Sequence, residues 1–156
     1  MSIRTLLILL STTICLSTAE AQTATNNTRE FDFQAVGFGS GETLEVNAIN
    51  IAANTSSGTA ASCTGSIVFR NTAGTTIGAP TAFTLTAGQS LSAHLPFASP
   101  ASTGSRVLVR PQVQVTVPAA PRPPCALQLS VEIIDSTTNA THVFVGGGTL
   151  STNGRF

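Results

Sequence analysis

Residues 106–117 read Arg-Val-Leu-Val-Arg-Pro-Gln-Val-Gln-Val-Thr-Val, and residues 126–134, beyond a proline-rich 118–124 and Cys125, read Ala-Leu-Gln-Leu-Ser-Val-Glu-Ile-Ile. In the first, Val107, Val109, Val113, Val115 and Val117 fall on one side and Arg110, Gln112, Gln114 and Thr116 on the other. In the second, Leu127, Leu129, Val131 and Ile133 alternate with Gln128, Ser130 and Glu132. A period of two is what a strand buried on one face requires. Pro111 interrupts the first strand and has no amide to donate, so it belongs on an edge, at a bulge, or where its nitrogen faces no neighbour.

The remainder follows the same pattern. Phe31 and Phe33 alternate with Asp32, but Val36 and Phe38 fall on the opposite parity, which calls for a bulge or a change of sheet near Ala35. Residues 42–51 place Leu44, Val46 and Ala48 inward, and the strand from Cys63 places Cys63, Gly65, Ile67 and Phe69 together. Asn71-Thr72-Ala73-Gly74 is a hairpin signal leading to a short segment at 75–78 that Pro80 stops. Residues 81–86 and 90–95 are then joined by Ala87-Gly88-Gln89. A last hairpin turns at 136–140 and returns through 141–145, where Gly146-Gly147-Gly148 ends it. Two units look alike, Gly39-Ser40-Gly41-Glu42-Thr43-Leu44 and Ala87-Gly88-Gln89-Ser90-Leu91, and read as shared hairpin chemistry. No stretch holds three turns of helical periodicity. Seven to eight short strands separated by turns every ~8–12 residues predict an all-β, two-layer antiparallel sandwich.

Composition agrees. The chain has 156 residues, enough for one domain with a core, and only 9% are charged, against a globular norm of about 25%. Thr, Ser, Asn and Gln supply the polarity, which suits pleated surfaces better than helices. All seven basic residues are Arg. Arg4, the apolar run 6–16 and Ala19-Glu20-Ala21 form a secretory signal, with cleavage expected after Ala21. The expected organisation is signal 1–21, flexible leader 22–30, sandwich 31–146 and flexible tail 147–156, with the mature protein secreted, periplasmic or at the cell surface.

Cleavage removes Cys15 and leaves Cys63 and Cys125, which an oxidising compartment joins most simply as a disulfide. Closing that loop of about 63 residues is worth roughly 4 kcal/mol by chain entropy. With neither a Cys-x-x-Cys spacing nor a nearby His, redox or metal chemistry has little support. Cleavage also leaves six acidic residues against six scattered Arg, without a stripe to neutralise phosphates, so nucleic acid is not an expected partner.

The strings Gly41-Glu42-Thr43-Leu44-Glu45-Val46-Asn47, Phe69-Arg70-Asn71-Thr72-Ala73-Gly74, Gly88-Gln89-Ser90-Leu91 and the hairpin over 129–145 together resemble a group of small exported bacterial proteins. Most of that group are described only as hypothetical proteins. The resemblance covers Phe31 to about Val145 and implies one immunoglobulin-like sandwich. It brings no established activity, so it assigns no functional residue. The Trp core and Tyr corner of immunoglobulin domains are missing, since the chain has neither residue type.

Candidate chemistry is sparse. His94, His142, Asp32, Asp135 and Glu132 are the groups an enzyme would draw on, but both His fall at surface positions and no Gly-x-Ser-x-Gly elbow anchors a nucleophile. Glu30, Asp32 and Asp135 form the only Ca²⁺ possibility, and turn-forming Asp explains the last of them equally well. No cofactor is expected. Without Trp or Tyr, glycan stacking is disfavoured. Sequons stand at Asn26, Asn54 and Asn139. The expectation is a non-catalytic exported sandwich that binds an unknown protein or polar ligand through loops such as 54–62 and 96–105. The alternative is a structural or self-assembling subunit using sheet edges, and a hydrolase with a cryptic site comes third.

Overall fold

The computed structural model describes residues 27–52, 62–100, 104–117 and 125–151, so the expected signal at residues 1–21 lies outside the described residues. These residues form nine strands: β1 (Asn27–Asp32), β2 (Val36–Gly39), β3 (Glu42–Asn50), β4 (Cys63–Asn71), β5 (Thr76–Leu85), β6 (Ser90–Pro96), β7 (Arg106–Val117), β8 (Ala126–Asp135) and β9 (Thr141–Ser151). One antiparallel sheet has the order β1-β7-β4-β5, with β2 also paired to β7, and the other has the order β6-β3-β8-β9. Their inner faces share one core, in which Phe38, Ile67, Val109, Val113 and Val115 from the first sheet meet Leu44, Val46, Leu127, Leu129 and Val131 from the second. Each of these side chains is almost wholly buried. Phe38 also packs edge-on against Phe97, with centroids 6.2 Å apart. Burying one such ring stabilises the fold by about 2–3 kcal/mol.

Strands 106–117 and 126–135 belong to different sheets, and Cys63 and Cys125 bridge them. Cys63 opens β4, Cys125 precedes β8, their Cα atoms lie 5.1 Å apart, and both residues are buried. The disulfide therefore ties one layer to the other.

The parity change after Phe33 is a bulge within one sheet. From Asp32 to Val36 the chain advances four residues, while the facing strand runs from Gln112 to Val109, three residues. That extra residue turns Val36 and Phe38 inward after Phe31 and Phe33, and it divides one expected strand in two, giving nine strands where the sequence predicts seven to eight. It also accommodates Pro111. β7 lies inside the sheet, and the Pro111 carbonyl accepts a 3.0 Å bond from the Phe33 amide. A strand residue directs its N and C=O to the same side, so the missing donor faces the bulge, where β1 has ended and β2 has not begun.

Four boundaries differ from the sequence reading. Pro80 does not stop a strand, because β5 runs through it as the outermost strand, with a bulge that sets four residues of β5 against two of β4 between Ile67 and Phe69. An edge position needs no second ladder, so the lost donor is harmless there. β1 begins at Asn27, inside the expected leader, and β9 continues past Gly146 to Ser151. Its glycine run is strand because Phe31 of the other sheet lies over Gly148, where a Cβ would sit 2.3 Å from the ring.

The fourth correction concerns the two look-alike turns, which are not hairpins. Gly39–Glu42 carries the chain from β2 to β3 and Thr86–Gln89 from β5 to β6, each time from one sheet to the other. The two corners share their chemistry. Gly41 and Gly88 take φ of +80° and +81°, open to glycine and strained for other residues. The next side chain then reaches back three residues to a free amide: Glu42 Oε2 accepts from Gly39 N at 2.6 Å, and Gln89 Oε1 from Thr86 N at 2.9 Å.

Candidate functional site

Because Leu44, Val46, Ala93, Leu95, Val131 and Ile133 face the core, Glu45, Asn47, Ser92, His94, Ser130 and Glu132 face outward from the β6-β3-β8-β9 sheet. Register then sets Glu45 between His94 and Glu132, and Asn47 between Ser92 and Ser130. Two carboxylates directly across a strand pair repel unless each is relieved. Glu45 is relieved by His94, whose Nδ1 lies 2.9 Å from Oε2. Glu132 accepts from Asn47 Nδ2 at 2.6 Å and from Thr141 Oγ1 at 2.7 Å. Above this row lies an open cavity of about 420 Å³ lined by Glu45, His94, Glu132, Ile134, Asn139 and Thr141. Its groups are mostly acceptors, so it suits a ligand that brings donors: hydroxyls, amides or an ammonium. Beside it the Ser92 hydroxyl donates to Asn47 Oδ1 rather than to His94.

At the adjacent β8–β9 turn, His142 stands between two carboxylates, with Nδ1 3.4 Å from Glu42 Oε1 and Nε2 3.7 Å from Asp135 Oδ2. Asp135 Oδ1 accepts from the amides of Thr138 and Thr137 and from the Thr138 hydroxyl. These bonds, the Thr138 amide foremost, hold the Asp135 carboxyl below its ordinary value, and the His142 charge adds a little. Asp135 is thus a turn-forming residue, and Asn139 completes the same turn in a left-handed conformation with φ 56°.

Glu30 and Asp32 lie on the other sheet. Gln112 Nε2 donates to Asp32 Oδ1 at 2.9 Å and to Glu30 Oε2 at 3.2 Å, and Gln114 Nε2 donates to Glu30 Oε1 at 3.0 Å. Arg70 Nε closes the network on Gln112 Oε1 at 3.1 Å. The three residues considered for Ca²⁺ are therefore not brought together, and among the described residues no group of three or more His, Cys, Asp or Glu is placed to hold a metal.

The sequence singled out His94 and Glu132 but missed Glu45, Asn47 and Thr141, which link them. Their signal was register, which only pairing reveals. Of the loops assigned to recognition, residues 54–61 and 101–103 lie outside the described residues, as do the sequons at Asn26 and Asn54. Among the described residues no helix is long and apolar enough to cross a membrane. No family model, curated protein or solved structure matches the chain.

Proposed function

We propose that the chain is exported, loses residues 1–21, and acts by contact rather than catalysis, as a sandwich that binds a protein or polar surface ligand. The observation that carries this reading is the acceptor-rich outer face built on Glu45, His94 and Glu132. It is open and lies on a sheet braced from behind by the core and by the Cys63–Cys125 bridge. Rigid elements hold recognition groups more accurately than loops do. The buried disulfide agrees with an oxidising destination.

The same reading takes the domain as immunoglobulin-like. In its favour, β3 pairs with β6 and β4 with β7, as the second strand pairs with the fifth and the third with the sixth in that fold. The chain departs from a constant domain elsewhere: β1 and β2 join the sheet of β7, β8 joins that of β3, and β5 pairs with β4 rather than with β6.

The test is capture from extracts of the source on the immobilised mature domain, run beside a Glu45→Gln, His94→Ala, Glu132→Gln variant with the wild-type unfolding midpoint. Ligand recovered by the wild type and lost by the variant is the expected result. Equal recovery by both removes the outer face from the reading.

A further inference from the structure

The two sheets have five outermost strands among the described residues, and four of them are guarded, β2 by its length of only four residues. β1 carries Arg29, Glu30 and Asp32. β5 is broken by its bulge and by Pro80. β9 has two register shifts and a run of three glycines. Charges, prolines and bulges of this kind are how proteins keep sheet edges from pairing with other chains. β6 has none of them before its last residue. It pairs with β3 without a shift from Ile49↔Ser90 to Thr43↔Pro96, and it contains no Arg, Asp or Glu.

The bonds at its two ends fix which backbone groups face outward. Asn50 N donates to Gln89 O, and Phe97 N donates to Glu42 O. Residues that bond a neighbouring strand alternate with residues that point away from it. Leu91, Ala93 and Leu95 therefore bond β3, and Ser90, Ser92, His94 and Pro96 direct their backbone groups to the free edge. Pro96, the one residue without an N–H, has that parity and costs the β3 ladder nothing.

We propose that this edge pairs with the β6 edge of a second copy of the chain, antiparallel about a two-fold axis at Ala93, joining two four-stranded sheets into one. Leu91-Ser92-Ala93-His94-Leu95 is self-complementary in that register. Leu91 meets Leu95 of the second copy on the inner face, and Ser92 meets its His94 on the outer face. Ser92 and His94 exchange backbone bonds in both directions, and Ser90 N reaches the Pro96 carbonyl, for roughly six bonds in all. No like charges face each other, because His94 is the one titratable residue of the strand and keeps Glu45 on its other side. A two-fold axis at His94 would oppose the two imidazoles, and one at Ser92 would set Leu91 against Ala93. The inference goes beyond the contact reading above and holds whether or not the outer face captures a ligand.

A single strand edge buries less than a standard interface of about 1,600 Å², so pairing is weak, with a dissociation constant of ~10 µM to ~1 mM. Sedimentation of the oxidised mature protein from ~5 µM to ~2 mM tests it. The average mass is expected to rise toward that of a dimer. Ser92→Pro removes an amide that β3 does not use and is expected to weaken the dimer at least about tenfold. A mixture of Ser92→Cys and His94→Cys proteins is expected to form intermolecular disulfides faster than either alone, since facing residues about 5.5 Å apart at Cα suit that bond. Wild-type protein that stays monomeric throughout overturns the proposal. So does dimerisation of Ser92→Pro at wild-type strength, or faster cross-linking by Ser92→Cys alone.

Discussion

The outer faces of the two sheets solve the same problem in different ways. Each carries carboxylates close together on a pleated surface. On the β1-β7-β4-β5 sheet, Glu30 and Asp32 are held by the amides of Gln112 and Gln114, which are neutral at every pH. On the β6-β3-β8-β9 sheet, Glu45 is held by His94, whose charge depends on pH, and Glu132 keeps an open cavity beside it. The first network centres on a buried amide, Gln112, although Glu30 and Asp32 themselves stay exposed. The second leaves half of the His94 side chain in water. A network anchored on a buried amide stiffens its sheet, and one whose neutralising group stands half in water can exchange that partner for a ligand.

Both faces depend on the layers being pinned. Cys63→Ser or Cys125→Ser is expected to cost about 2–5 kcal/mol, the largest effect predicted here, read as a fall in urea midpoint. The same midpoint with and without reductant would contradict it.

The difference between the faces appears next. Gln112→Leu removes a buried amide from between two carboxylates, and its expected cost is about 1–3 kcal/mol. His94→Ala removes a half-exposed partner of Glu45 and is expected to cost less than about 1 kcal/mol, shrinking further in high salt. Equal losses from the two substitutions, measured by urea unfolding, would erase the contrast.

The smallest effect is acid sensitivity at the turn beside the open face. The Asp135 carboxyl titrates below its ordinary 3.8 in the folded chain. Its contribution is therefore whole above that value and is lost as pH falls through the lower folded one. Asp135→Asn should lower the thermal midpoint slightly near neutrality, where that contribution is whole, and flatten its fall below about pH 4, so that the two proteins converge in acid. A profile that keeps its wild-type slope in acid would assign the sensitivity to other carboxylates.

Much of this architecture was legible because burial on one side writes itself as alternation. Val109, Val113 and Val115 and Leu127, Leu129 and Val131 lie where their parity placed them. The parity break before Val36 called for a bulge or a change of sheet, and register shows it to be a bulge. Proline and glycine misled the reading, since their usual meaning assumes a position the sequence does not state. Pro80 is tolerated because its strand is outermost, and Gly146-Gly147-Gly148 continues a strand because Phe31 needs the room above Gly148. The corners at Gly41 and Gly88 were recognised as alike, but whether a tight turn folds back or changes layer depends on which sheet its second strand enters. The Glu45, His94 and Glu132 row was hidden for the same reason: three residues far apart in sequence become neighbours only through register.

The bridge between Cys63 and Cys125 also decides how the chain responds to pulling. β4, β5, β6 and β7 all lie between the two cysteines, inside a covalent ring. Tension applied at the ends passes through the sulfurs and bypasses those four strands. An oxidised molecule stretched to its limit would fall short of a reduced one by roughly 200 Å, the contour of the 62-residue separation the ring withholds. Four of the nine strands are then never in the line of force.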